Sequence, residues 1–297
     1  MGATTARLLE GATLAAAIKR ELKAEVERLR QRGVRPGLGT ILVGNDPASA
    51  TYVALKHRDC GEVGIASFGE HLPATASQAE LLAAIDAFNT HPAIDAFLVQ
   101  LPLPRGLDEE QALLAVDPDK DVDGLHPVNL GRLALGKPGL LPCTPAGIQE
   151  LLVQHQVPIA GQHVVIVGRG VTVGRPLAML LSSKAPHANA AVTQIHTGVA
   201  DPGSYTRQAD ILVAAAGSPG LITPDMVKPG AAVVGVGAVK RGSKVLSDVD
   251  EAVAMVAGWV TPRVGGVGPM TRAMLLRNAV RAAHRRADRL DSRGDER

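Results

Sequence analysis

Short apolar runs bounded by glycine or proline alternate with helix-length segments along most of the 297 residues, and this alternation limits the fold more than any other feature. A strand that is followed by a helix before the next strand builds βαβ units and a mainly parallel sheet, buried on both faces. The runs LGTILVG (38–44), IDAFLVQLPLP (94–104), HVVIVG (163–168), AAVTQIH (190–196), DILVAAA (210–216) and AAVVGVG (231–237) are strand candidates, with a shorter one near 65–72. Helices are expected over 11–30, where Leu14, Ile18, Leu22, Val26 and Leu29 recur at helical spacing, and over 49–63, 77–90, 146–155 and about 174–184. A closing helix from Met270 to about Arg286 is expected to pack on the first half.

The stretch 117–145 is rich in proline and glycine and only weakly periodic, so it reads as a structured crossing between two α/β domains. The expected division is 1–145 plus 270–297 as one domain and 146–269 as the other, a Rossmann-like one. With 46% apolar but only 2% aromatic residues, both cores must be layers of Ala, Val, Leu and Ile. Thirty-one basic and twenty-nine acidic side chains nearly cancel, which leaves no overall field for a nucleic acid. Cys60 and Cys143 are too few for a disulfide framework and lack zinc spacing, so a reducing cytoplasm is expected. Neither a secretory leader in the first thirty residues nor a membrane-spanning apolar run is read from the sequence. The charge-dense stretch from Arg281 onward is expected to fray.

Two motifs carry chemistry. In VVIVGRGVTVGRPLAMLL a strand, a glycine turn and a helix follow one another, with Gly168, Gly170 and Gly174 spaced G-x-G-x-x-x-G. Glycines there let backbone N–H groups at a helix start approach a pyrophosphate, although a plain strand-to-helix turn has the same elements. The next strand ends Gln194, Ile195, His196, Thr197, Gly198, without the usual acidic ribose ligand. With no carboxylate to repel a 2′-phosphate and Arg169 able to pair with one, NADP is favoured over NAD.

In NDPASATYVALKHRDC, Ser49 is read as a helix cap, and Tyr52 and Lys56, four residues apart, share one helical face. In a largely apolar pocket such a lysine would have its charged form disfavoured and could shuttle protons. Gln100 ends a strand, where parallel sheets gather their ligands, and DKDVDG places Asp119, Asp121 and Asp123 in one tight loop. That loop lacks the glutamate of a calcium loop, so Asp123 is read as a hydrogen-bond acceptor and no metal is expected.

Taken in order, VGNDPASATYVALKHRDCGEVGI, VQLPLP, DKDVDGLHPVNLGRL, PCTPAGI, VVIVGRGVTVGRP, TRQADILVAAAG and GGVGPMTRAMLLRN resemble the bifunctional methylenetetrahydrofolate dehydrogenase/cyclohydrolase family. The resemblance implies oxidation of 5,10-methylenetetrahydrofolate with NADP, then hydrolysis of the methenyl product to 10-formyltetrahydrofolate. It implies that Lys56 transfers the proton, Tyr52 positions the folate, Gln100 tunes Lys56, and Asp123 accepts hydrogen bonds from the pterin. Ser49, Val99, Leu101 and the run Val264, Gly265, Gly266, Val267, Gly268, Pro269 would complete the folate site. Gly168, Arg169, Gly170, Gly174, Thr197 and Ala238 would hold the cofactor. A homodimer joined through the nucleotide-binding domains is also implied.

Several positions depart from the family pattern: Gly170 and Thr197 stand where serines are usual, Gly198 where a basic residue is common, and Gly235 where an aspartate is common. Ala238 replaces a larger apolar residue, and Arg263-Val264 replaces Val-Pro. These departures keep two alternatives in view, a cyclohydrolase without dehydrogenase activity and a non-catalytic nucleotide-binding regulator. A short-chain dehydrogenase, which also carries a Tyr-x-x-x-Lys pair, is disfavoured because its glycine turn precedes that pair.

Overall fold

The computed structural model describes residues 6–137, 139–241 and 244–294, and of residues 238–241, 244, 293 and 294 the backbone alone. Along the chain run β1 (Arg7–Leu8), α1 (Ala12–Gln31), β2 (Gly37–Val43), α2 (Pro47–Val63), β3 (Ala66–Leu72), α3 (Gln78–Thr90), β4 (Ala96–Val99), α4 (Glu109–Ala115) and α5 (Pro127–Ala134). Then follow α6 (Cys143–Gln154), β5 (His163–Val167), α7 (Gly174–Ser182), β6 (Ala191–Ile195), α8 (Gly203–Thr206), β7 (Ile211–Ala214) and β8 (Ala232–Gly235). The chain ends with β9 (Ala238–Arg241), β10 (Lys244–Ser247), β11 (Trp259–Val260) and α9 (Val267–Gly294). Two helices, α4 and α5, lie in or beside the stretch read as a crossing; their brevity and the Pro and Gly around them hid the periodicity.

The chain forms two compact α/β units. The small-sheet unit gathers Ala16–Gly131, Gly139–Cys143 and Arg272–Arg297, and the large-sheet unit Met1–Ala15, Arg132–Pro138 and Thr144–Thr271, among the described residues. This differs from the expected division at the start of the chain. Residues Arg7 and Leu8 pair in parallel with Trp259 and Val260 and so extend the large sheet. A two-residue strand has no periodicity from which to read it.

In the small-sheet unit the strand order is β3-β2-β4, all parallel, with β2 central and buried throughout. Ile41, Val43, Leu81, Ile85, Phe97 and Val99 meet in its core. The N-terminal turn of α2 is capped by Asp46, whose carboxylate accepts the Ser49 N–H at 2.8 Å, and Pro47 presets the first helical φ. Ser49 is therefore inside the helix and not its cap, a correction to the sequence reading. Gly64, at φ 85°, ends the helix in the left-handed conformation.

Helix α9 does not fray at Arg281. Ala282, Ala283 and Ala287 are buried, and Arg286 Nε lies 2.8 Å from the buried Asp95 carboxylate. The Asn278 amide donates to the carbonyls of Val122 at 2.9 Å and Leu141 at 2.8 Å. The charge-dense composition concealed this because beyond Arg281 the buried residues are the small Ala282, Ala283 and Ala287 and no large apolar ones.

The large-sheet unit holds six parallel strands in the order β1-β11-β8-β7-β5-β6. Counted from β5, its successive strands lie in the order 2-1-3-4-5, a doubly wound arrangement whose strand order reverses beside β5. Val165, Val167, Ile195, Leu212, Ala214 and Val233 form the core, as expected for Ala- and Val-rich strands covered on both faces. The antiparallel β9–β10 hairpin was not anticipated.

Candidate active site

In the small-sheet unit, helical geometry puts Tyr52 and Lys56 one turn apart on α2, with Tyr52 55% exposed and Lys56 half-buried. Lys56 Nζ donates to Gln100 Oε1 at 3.0 Å, immediately past the carboxyl end of β4. The Gln100 amide nitrogen donates to the Leu101 carbonyl at 2.7 Å. That carbonyl is only an acceptor, so it orients the amide with its oxygen toward the lysine. Val99 is the buried last residue of β4 and Leu101 the half-buried residue after Gln100.

Farther along α2, Asp59 is nearly inaccessible and pairs with Lys19 Nζ at 3.0 Å and Arg272 Nε at 2.6 Å. This pair of contacts fixes the helix that carries Lys56. His57, which the sequence reading passed over, lies between Thr40 Oγ1, 3.0 Å from its Nε2, and Ser67 Oγ at its Nδ1. Burial pushes its pKa down.

The DKDVDG loop divides its carboxylates by role. Asp121 is the buried one and accepts from the N–H groups of Gly124 at 3.1 Å and His126 at 2.8 Å and from the Asn129 amide at 3.0 Å. Burial pushes its carboxyl pKa up even so. Asp123 is half-buried, and its backbone carbonyl accepts the Cys143 N–H at 3.2 Å. The buried Cys143 thiol is held well above its ordinary pKa, chiefly by burial; Asp123 also raises it and Lys56 lowers it, so both charges act on one locality. Among the described residues no group of three or more His, Cys, Asp or Glu could hold a metal ion.

In the large-sheet unit a cavity of about 470 Å³ opens where the strand order reverses. Gly168, Arg169, Gly170 and Thr197 line it, as do His196, Val199, Pro202, Ala215, Ala216 and Leu221. Gly168 has φ 136°, and a Cβ there would lie 2.3 Å from the Ala215 carbonyl oxygen. A Cβ on Gly174 would lie 2.3 Å from the Gly168 carbonyl oxygen. Glycine is thus required at both positions by close backbone approach. Helix α7 starts at Gly174 with no side-chain cap; in its first turn the Arg175 N–H donates to the Gly170 carbonyl at 3.1 Å and Pro176 has no N–H, which leaves the Gly174 N–H for an anion.

Gly170 is different: a Cβ there meets nothing within 4 Å, so the serine usual in the resembling family would fit. At Gly235 a Cβ would lie 2.7 Å from Ser247 Oγ, so a larger residue needs that side chain to move. The Arg169 guanidinium reaches to 3.4 Å from His196 Nε2. Ala238 opens β9, and its side chain lies outside the described residues. The run Val264–Pro269 is a turn with exposed Val264 and Gly265 at φ 88°, whose carbonyl accepts the Gly11 N–H at 2.8 Å. Val267, Gly268 and Pro269 already belong to the first turn of α9.

Sequence reasoning missed the cavity wall made by Ala215 and Ala216. The signal was present, because DILVAAAG ends a buried strand beside the reversal point and parallel sheets bind ligands at such ends.

These features define a two-unit α/β protein with a dinucleotide-type cavity in one unit and a Tyr-Lys-Gln group in the other. The chain belongs to the tetrahydrofolate dehydrogenase/cyclohydrolase family: the family's catalytic domain matches residues 9–123 and its NAD(P)-binding domain residues 142–287. It is 55% identical to the bifunctional protein FolD of Syntrophotalea carbinolica, over 96% of this chain and 98% of that protein. The crystal structure of the bifunctional FolD methylenetetrahydrofolate dehydrogenase/cyclohydrolase of Campylobacter jejuni is similar at TM-score 0.91 and 44% identity, over 94% of this chain and 99% of that one. The Trypanosoma brucei enzyme, solved with NADP cofactor and an inhibitor, is similar at TM-score 0.89 and 39% identity, over 95% and 98% of the two chains.

Proposed function

We propose that the chain oxidises 5,10-methylenetetrahydrofolate to the 5,10-methenyl cation with NADP and then hydrolyses that cation to 10-formyltetrahydrofolate. Family membership and the bifunctional relatives support both reactions. The observation that carries the residue assignment is the Lys56 Nζ–Gln100 Oε1 hydrogen bond at 3.0 Å, one helical turn from an exposed Tyr52.

The cofactor cavity fits NADP. Gly168 and Gly174 carry no Cβ where the backbone approaches closely, and Arg169 and Thr197 line the cavity, where a guanidinium can pair with a 2′-phosphate. When bound, NADP supplies the hydride acceptor for the oxidation.

Hydrolysis falls to the chain's own side chains. As a neutral amine Lys56 takes a proton from water as the oxygen bonds to the methenyl carbon; as an ammonium it returns a proton to N5 while the carbon–N5 bond breaks. The second proton of the water leaves to solvent as the formyl group forms. Gln100 holds the lysine in place through its oriented amide. Tyr52 positions the folate ring, and the Asp123 carboxylate accepts hydrogen bonds from the pterin. Ser49, Val99 and Leu101 shape the rest of the folate site.

Two buried, unpaired cysteines support a reducing, cytoplasmic setting, and among the described residues no helix is long and apolar enough to cross a membrane. A homodimer joined through the nucleotide-binding units rests on the family resemblance, as does the choice of tetrahydrofolates over other partners.

The test follows absorbance of purified protein with methylenetetrahydrofolate and NADP or NAD, recording reduced cofactor and methenyl product separately. Reduction with NADP and little free methenyl product is expected. Decay of supplied methenyltetrahydrofolate without any cofactor reduction would leave a cyclohydrolase alone.

A further inference from the structure

Asp248 is fully buried in the large-sheet unit and belongs to none of the roles above. It follows β10, and its carboxylate reaches the loop that leaves β7. Oδ2 accepts the N–H of Ala216 at 3.0 Å and of Gly217 at 2.9 Å. The Ser218 backbone also acts on this carboxylate. The Asp248 backbone continues the tie: its N–H donates to Gly237 at 3.3 Å, and its carbonyl accepts from Ile222 at 2.9 Å. The other oxygen, Oδ1, finds no hydrogen-bond partner in the structure.

A buried carboxylate with one oxygen unsatisfied is costly, and burial pushes its pKa up. Hydrophobic packing alone would be served better by an apolar residue. What the carboxylate contributes is a fixed anchor for consecutive backbone N–H groups, a concave arrangement that recognises a single negative charge.

The loop it anchors is a wall of the cofactor cavity. Ala215 and Ala216 line that cavity, and the Ala215 carbonyl is the atom against which Gly168 must remain glycine. On its far side the carboxylate rests on Gly237, where a Cβ would lie 2.3 Å from both Oδ1 and Oδ2. No positive φ requires glycine at 237; the three atoms nearest to that Cβ all belong to the carboxylate.

We propose that Asp248 is a positioning residue of the cofactor site: from behind the cavity wall its carboxylate holds the Ala216–Gly217 backbone in the shape that NADP needs. It touches neither folate nor the reacting atoms. The proposal rests on the reading of this cavity as the NADP site.

Two variants approach the same contact from opposite sides. Asp248→Ala removes the anchor, and Gly237→Ala displaces it by the added Cβ while leaving Asp248 in place. NADP binding is measured by equilibrium dialysis, and hydrolysis of supplied methenyltetrahydrofolate is measured without cofactor. Each variant is expected to bind NADP about tenfold or more weakly, equivalent to about 1.4 kcal/mol, with hydrolysis within about twofold of wild type. Asp248→Asn, whose side-chain oxygen can still accept the same N–H groups, is expected to recover most of the affinity. Unchanged NADP affinity in either folded alanine variant overturns the proposal. Parallel loss of NADP binding and hydrolysis in both variants also overturns it, because Asp248 would then support the fold as a whole. Absence of NADP binding by the wild-type chain would remove the cofactor reading itself, and the proposal with it.

Discussion

The two units present their functional groups in different chemical currencies. On the proposed assignment the small-sheet unit would work through side chains: Tyr52 and Lys56 on one face of α2, Gln100 past β4, Asp123 in a loop. On the same assignment the large-sheet unit would work through backbone: the Gly168 turn and the Ala215–Ala216 wall. Truncating a side chain should therefore silence the first, whereas adding one should silence the second.

The largest effect tests this contrast directly. Lys56→Met keeps the stem and deletes the titrating group, so hydrolysis of supplied methenyltetrahydrofolate is expected to fall by roughly a hundredfold or more while folate binding persists. Stopped-flow absorbance and equilibrium binding measure the two separately. Hydrolysis at the wild-type rate would show that another group moves the proton.

Gly168→Ala is the converse experiment. Its φ of 136° and the 2.3 Å approach to Ala215 leave no place for a methyl group. NADP affinity is expected to drop by more than about tenfold with hydrolysis largely kept. Tight NADP binding by this variant would mean the turn is not a backbone cradle.

Arg169→Ala sharpens the contrast, because this is the side chain through which the backbone-built site would distinguish cofactors. Its loss is expected to weaken NADP by about tenfold and NAD by much less. Equal losses in competition assays would remove it from 2′-phosphate recognition.

The smallest effect concerns the helix that carries Lys56. The Ser49 N–H holds the Asp46 carboxyl below its ordinary pKa. A depressed folded-state pKa gives a stabilisation fully present above the ordinary carboxylate range and lost as pH falls through the lowered folded value. Asp46→Ala should therefore lower the melting temperature slightly at neutral pH and not under strongly acid conditions. A pH-independent difference between the two proteins would assign the effect to helix propensity instead.

The main strands and long helices were legible because apolar periodicity survives in them: the central β2, the core strands β5 to β8, and α1 with its recurring Leu and Ile. The paired Tyr52 and Lys56 and the glycine turn were legible for the same reason, since each has a fixed offset inside a regular element. What escaped had no offset to read. Strand β1 is two residues long, Asp46 caps a helix that Ser49 could equally have begun, and Asp248 meets Ala216 only after the chain returns from a hairpin. A buried carboxylate of that kind resembles any other aspartate in sequence.

Strand β1 also decides how the molecule can be dissected. A piece cut at 142–287, the span of the nucleotide-binding family domain, would leave β11 as a bare sheet edge, because its partner is Arg7–Leu8 at the opposite end of the chain. A piece cut at 9–123 would keep Asp95 but lose Arg286, its guanidinium partner at 2.8 Å. Domains that are contiguous in sequence are thus not separable parts here: each half borrows a stretch of chain from the other's terminus, and the two must be expressed as one polypeptide.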